Sequence, residues 1–274
     1  MSLIGEIKSP TPTLDSTTLI FDAIEYLIIN DCDHAFVQHE GEMVGIVSAG
    51  QLLENYKAKD LSNVTIREYM GPFLTIKQNE PQARAAEIML EHDAECIAVT
   101  NQKGGVGKTT TTINLGASLA RMHRRVLLVD LDPQANATVG CGVDRVNLTG
   151  SSYQLLLGAC TLRDAVVVVR DGLDLLPAES GLAGAQAELG GEQGNDNYRL
   201  RSALGDETGY DYVFIDCPPA LNVLTINALV AAHSVLIPVQ CEYYALEGLT
   251  GLLETVARVR QSANPGLVIE GLLR

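Results

Sequence analysis

From residue 97 onward the sequence predicts an α/β fold, a mostly parallel sheet with helices on both faces. Three observations carry this. Short runs with no polar alternation stand at 97–100, 125–129, 212–215 and 235–239, and another opens at 266–270. Strands apolar on both sides suit a sheet covered by helices on each face. Segments with helical spacing at 115–122, 224–232 and 246–259 supply those helices. Finally, the first three runs end in a glycine-rich loop, in Asp130 and in Asp216. Ligands of such sheets sit beyond the carboxyl ends of the strands.

The first run leads into Asn101, Gln102, Lys103, Gly104, Gly105, Val106, Gly107, Lys108, Thr109 and Thr110, which read as strand, glycine loop and helix start. Such a loop wraps backbone N–H groups around a phosphate, and the helix N-terminus adds partial positive charge. Gly104, Gly105 and Gly107 allow close backbone approach. Lys108 is placed to reach β- and γ-phosphates, and the Thr109 hydroxyl to bind Mg²⁺. The strict P-loop pattern has glycine where this chain has Gln102, so the loop is a variant, with a second lysine, Lys103, at its start.

The second run ends at Asp130, Leu131 and Asp132. Side chains at i and i+2 of an extended segment share a face, so both carboxylates are expected at one metal–phosphate centre. Asp132, farther into the loop, is the candidate for positioning the attacking water. Asp216, ending the third run, reads as a Walker-B carboxylate holding Mg²⁺ through water. Lys103, outside the cradle, is a second cation with the function of an arginine finger. Arg121, Arg124 and Arg125 complement the dipole of the first helix.

Composition narrows the class. The 274 residues are 46% hydrophobic and 19% charged, which suits one large or two ordinary globular domains. The net charge is −15, with both residues 1–98 and residues 99–274 acidic, so neither half is a generic polyanion binder. The six cysteines form no C-x-x-C pair, and the five histidines form no i,i+4 pair, which argues against a zinc or redox site and for reduced thiols in the cytoplasm. The start of the chain lacks the pattern of a signal peptide. Polar residues Asn222, Thr225, Asn227, His233 and Ser234 interrupt the apolar stretch 221–239, which predicts a buried helix and a strand rather than a membrane span.

The first 98 residues have another rhythm. Extended 11–14, a helix at 22–29, strands at 35–38 and 43–48 around a turn at His39-Glu40-Gly41, and a helix at 51–56 make one small unit. The pattern restarts with extended 73–76, a helix at 82–92 and a strand at 94–100, an internal repeat whose second copy stops at its second strand. Residues 190–197 read as a loop.

These residues resemble the ParA family of deviant Walker ATPases, within the wider ParA/MinD group. The resemblance rests on the stretches 97–111, 125–138, 210–220 and 238–248. It implies a P-loop ATPase for plasmid or chromosome partition, with two ATP molecules sandwiched in a homodimer. It places phosphate binding on residues Gly104 to Thr110, Val106 and Thr110 included. It gives Mg²⁺ to Thr109, the Walker-B role to Asp216, water activation to Asp132 and the cross-dimer contact to Lys103. A ParB-type partner and nonspecific DNA binding by the ATP dimer are further implications, and the Asp130-to-Asn136 stretch favours partition over membrane-cycling MinD. Family members continue beyond Arg274 with strands, helices and the basic residues that contact DNA, so a sheet incomplete at its C-terminus is expected.

Residues 1–96 resemble a CBS-domain pair, a regulatory module that often binds adenosine nucleotides. The first unit covers about 10–56, best matched at Gly45 to Ser48, and a truncated second unit covers about 64–96. Gln51 stands where many relatives hold a ribose with aspartate. The ATPase domain is expected over 97–274, and residues 97–100, wanted by both modules, are expected to join its sheet and leave the second CBS unit incompletely packed. The alternative function is an adenosine-nucleotide sensor carrying an inactive ATPase.

Overall fold

The computed structural model describes residues 13–30, 34–40, 42–48, 52, 64–68, 74–76, 96–189, 196–205, 209–239 and 245–273. The chain divides into two compact units, Met1–Thr75 with Glu242–Thr250, and Ile76–Cys241 with Gly251–Arg274.

In the first unit, β1 (Thr13–Asp15), α1 (Ile20–Ile29), β2 (His34–His39) and β3 (Glu42–Ser48) are followed by a 3₁₀ turn at Ile66–Glu68. The sheet order is β1-β2-β3, with the first pair parallel and the hairpin antiparallel. Ile20, Ala23, Ile24 and Leu27 repeat at helical spacing along α1 and are buried with Leu14, Ala35, Val37, Val47 and Ile66. The predicted helix at 82–92 and most of that at 51–56 lie outside the described residues. So does most of the predicted second CBS unit. A short strand, β4 (Leu74–Ile76), falls at the division between the units.

The second unit contains β5 (Cys96–Val99), α2 (Lys108–Arg121), β6 (Val126–Asp130), α3 (Asn136–Gly140), α4 (Ser152–Leu157), α5 (Leu162–Ala165), β7 (Val167–Arg170) and β8 (Leu173–Leu176). It continues with α6 (Ala185–Glu188), α7 (Arg199–Leu204), β9 (Tyr212–Asp216), α8 (Val223–Ala231), β10 (Ser234–Pro238), α9 (Ala245–Ser262) from Gly251 onward, and β11 (Val268–Leu273). Strands lying wholly in this unit are adjacent in the order β11-β10-β5-β9-β6-β8-β7. All pair parallel except β7, which runs antiparallel to β8.

Every residue of β5, β6, β9 and β10 is buried, as their uninterrupted apolar runs require. Leu115 and Leu119 of α2 pack with Ile97, Val99, Leu128 and Phe214 in one core. Each such side chain contributes about 1.5–3 kcal/mol when fully buried. Residues 97–99 lie in β5, between β10 and β9, so this strand belongs to the sheet of the second unit.

α2 begins at Lys108, growing directly from the glycine loop as the loop-to-helix reading expects, ahead of the apolar periodicity at 115–122. One feature departs from the sequence expectation: the β7–β8 hairpin was not expected. Its strands are joined at Asp171 and Gly172, the latter at φ +75°, a turn pair that signals a hairpin. β7 exposes alternate residues, as an edge strand does.

Candidate functional site

β5, β9 and β6 end in register: Val99 stands beside Asp216, and Asp216 beside Asp130. The glycine loop leaves this edge from β5. The Thr100 N–H donates to Leu236 O at 3.1 Å and extends the ladder by one residue. Buried Asn101 then donates from Nδ2 to Pro238 O at 2.7 Å and accepts the Lys103 N–H on Oδ1 at 3.0 Å. One asparagine thus ends the strand, opens the loop and ties it to the end of β10.

Gly105 and Gly107 sit at φ +78° and +91°, a region that side chains rarely adopt. Gly107 occupies the cap position of α2, and no side chain there accepts a helix N–H. The first N–H groups of α2 have no intrahelical acceptor, and the helix dipole is positive at this end. Together they make an anion seat.

The side chain of Lys108, almost fully buried, folds back over the loop and donates from Nζ to Lys103 O at 3.1 Å. Burial pushes its pKa down, while Asp216, Cys217 and Asp132 pull it back up. The Thr109 hydroxyl donates to Asp216 Oδ2 at 2.7 Å. Asp216 is fully buried, and its Oδ1 has no hydrogen-bond partner. Burial raises its pKa to about 7; the Thr109 hydrogen bond and Lys108 oppose this, and Asp130 and Asp132 add to it. Lys108, Thr109, Asp132 and Asp216 are therefore gathered at one electrostatically coupled place. Two hard oxygen ligands, the Thr109 hydroxyl and the Asp216 carboxylate, stand in contact there, and the unpartnered Oδ1 fits a magnesium-bound water.

The two carboxylates of the β6 loop behave differently. Asp132 lies just past the strand end, with Oδ1 accepting the Gln134 N–H at 3.0 Å. Asp130 is fully buried, and both of its oxygens are engaged by the protein. Oδ2 accepts the Thr138 N–H and hydroxyl at 2.8 and 2.7 Å, and Oδ1 accepts the Asp132 N–H at 3.1 Å. Its pKa is pushed up to about 6 by burial, against these hydrogen bonds. The shared-face expectation placed both carboxylates at the metal centre. A buried carboxylate needs partners close by, and Asp130 takes them from its own loop.

Lys103 contributes the carbonyl that holds Lys108, while Val106 is buried and Gly104, Gly105 and Thr110 are exposed. In the arginine cluster, Arg125 donates to Asp211 from its backbone N–H at 2.7 Å and its guanidinium at 3.1 Å. Sequence reasoning missed Asn101 and Thr138. Asn101 is visible as a polar residue at a strand end, but no spacing pattern marks Thr138. No helix among the described residues is long and apolar enough to cross a membrane.

Comparison with known proteins matches this geometry. A family profile described as an AAA domain covers residues 94–269, and one described as a CBS domain covers residues 4–58. The chromosome partitioning protein ParA of Caulobacter vibrioides is 50% identical over 181 residues, 65% of this chain and 67% of that protein. The sporulation initiation inhibitor protein Soj of Bacillus subtilis is 52% identical over 179 residues, 65% of this chain and 70% of that protein. Among solved structures, a protein of Mycobacterium smegmatis described as cobyrinic acid a,c-diamide synthase, with a bound ATP analog and magnesium, superposes with a TM-score of 0.63. It is 47% identical and covers 65% of this chain and 73% of its own. The glycine loop, the mostly parallel sheet and the relatives agree: the chain belongs to the ParA/Soj family of P-loop ATPases, with a CBS domain ahead of the AAA domain.

Proposed function

We propose that residues 97–274 bind and hydrolyse Mg-ATP to drive the partition of a plasmid or chromosome. The observation that carries this reading is the buried Asp216 carboxylate, with one oxygen on the Thr109 hydroxyl and the other without a partner, inside the electrostatic reach of Lys108. A purely structural aspartate would be expected to satisfy both oxygens. Among the described residues, no three His, Cys, Asp or Glu side chains form a metal-binding group, so a divalent ion here depends on phosphate oxygens to complete its shell.

On this reading the α2 amides and the loop 104–110 seat the phosphates. Lys108 leaves the Lys103 carbonyl for the β- and γ-phosphates. Thr109 holds Mg²⁺ directly and Asp216 holds it through water. Held there by Thr109 and Asp216, Mg²⁺ would supply neutralisation of charge on the γ-phosphoryl group. Asp132 orients the attacking water, and Lys103 reaches the nucleotide of a partner subunit in an ATP-sandwich homodimer. A ParB-type partner stimulates turnover, and nonspecific DNA is the track for the ATP-bound dimer. That the M. smegmatis structure carries an ATP analog and magnesium supports the cofactor assignment.

The test is Mg-ATP affinity and turnover of the intact chain against Lys108→Ala. We expect at least a ~100-fold loss of affinity, about 2.7 kcal/mol, and no turnover. Unchanged adenosine-nucleotide binding in that variant moves the nucleotide site to the CBS domain at residues 4–58 and overturns the reading.

A further inference from the structure

We infer that Thr138 is a positioning residue for ATP hydrolysis: through Asp130 it fixes the backbone on which Asp132 stands. The inference rests on the assignment of Asp132 as the water-orienting carboxylate and deepens it.

Thr138 and Asp130 are both fully buried. The Thr138 Oγ1 accepts the N–H of Ala178, two residues past β8, at 2.9 Å. Its only hydrogen is therefore free for Asp130 Oδ2, to which it donates at 2.7 Å. The Thr138 N–H donates to the same oxygen at 2.8 Å. The carboxylate orientation is thus set from one side, and its second oxygen receives the Asp132 N–H at 3.1 Å. From the other side, the Leu131 N–H donates to Asp216 O at 3.0 Å. Residues 130–132 are anchored to the ends of both neighbouring strands, β8 through Thr138 and β9 through Asp216.

A methyl in place of the hydroxyl removes two of these bonds, Ala178 to Thr138 and Thr138 to Asp130. Lys108 and Thr109 take their hydrogen-bond partners elsewhere, at Lys103 O and Asp216 Oδ2, so nucleotide binding should survive. What changes is the placement of Asp132, and a misplacement of about 1 Å can cost ~100-fold in rate.

The experiment compares Mg-ATP kinetics of the full chain with Thr138→Val, Thr138→Ser and Asp132→Ala. Thr138→Val is expected to lower kcat ~10–100-fold with KM within ~3-fold, and Thr138→Ser to restore kcat to within ~3-fold of wild type. Wild-type kcat in Thr138→Val, an equal loss in kcat and rise in KM, or no recovery in the serine variant overturns the inference. If Asp132→Ala abolishes turnover while Thr138→Val does not, the Thr138 inference alone falls. Wild-type turnover in Asp132→Ala removes the Asp132 assignment, and this inference with it. Should the valine variant not fold, or wild type show no turnover, residue-resolved amide exchange decides. The Asp132 N–H must be protected as strongly as the amides of β6, and open-loop exchange there overturns the clamp.

Discussion

Helices α2 and α8 start from the same edge of the sheet, one after β5 and the other after its neighbour β9, and they begin in opposite ways. α8 is closed by its own chain. Asn222 Oδ1 accepts the N–H groups of Leu224 and Thr225 at 3.1 and 3.3 Å, and the Thr225 hydroxyl donates back to Ala220 O at 2.6 Å. α2 has a glycine at the corresponding position and no side-chain acceptor. A helix start always presents unsatisfied donors. At α8 a neighbouring side chain answers them, and at α2 an anion from outside must. The contrast shows how one architecture makes a structural turn and a ligand seat from the same element.

The strongest way to break this contrast is to put a side chain into the open start. Gly107→Val forces a β-branched residue into φ +91° and fills the seat. We expect a loss of Mg-ATP affinity of ~1,000-fold, about 4 kcal/mol, by titration calorimetry. A variant that binds normally would mean that the loop is not the phosphate site.

Asp216 gives the next largest effect, in a pH profile. Its folded pKa of about 7 lies above the ordinary aspartate value of 3.8. Between those values the folded protein holds more protons than the unfolded chain, so the contribution of this group to stability is full below about pH 4 and is lost as pH rises through 7. Asp216→Asn lacks this slope. In nucleotide-free protein, the stability of wild type relative to the variant should fall by ~3 kcal/mol between pH 4.5 and 7.5, by urea denaturation. A flat difference would contradict the burial argument.

The smallest effect tests the closed helix. Asn222→Ala removes the α8 cap and should cost about 1 kcal/mol of stability while leaving Mg-ATP affinity unchanged. A matching loss of affinity would show that the two helix starts are coupled.

Much of this edge was legible in the sequence. The runs ending at Asp130 and Asp216 and the run preceding Asn101 are apolar on both sides, and only buried parallel strands need that. Their ends then fall on one rim, and Lys108, Thr109 and Asp216 meet there as their spacing predicts. Legibility failed where a group's partner is chosen by packing. Asp130 and Asp132 look equivalent two residues apart, yet burial turned Asp130 toward Thr138, and nothing in an Asp-to-Thr spacing of eight residues announces it. The β7–β8 hairpin was missed for a different reason: no strand was assigned to the valines at 166–169, and the Asp171-Gly172 turn is a two-residue signal.

The position of β5 carries a consequence for biosynthesis. Its hydrogen-bonding neighbours, β9 and β10, lie more than a hundred residues downstream. Until Asp216 has been translated, Cys96 to Val99 have apolar faces and a bare ladder on both sides. At ~5–20 residues per second that interval lasts on the order of ten seconds on the ribosome. A nascent chain in this window has a glycine loop but no Asp216 strand beside it. Ribosome-bound intermediates should therefore depend on shielding of this strand and gain the ability to hold a triphosphate only late in synthesis.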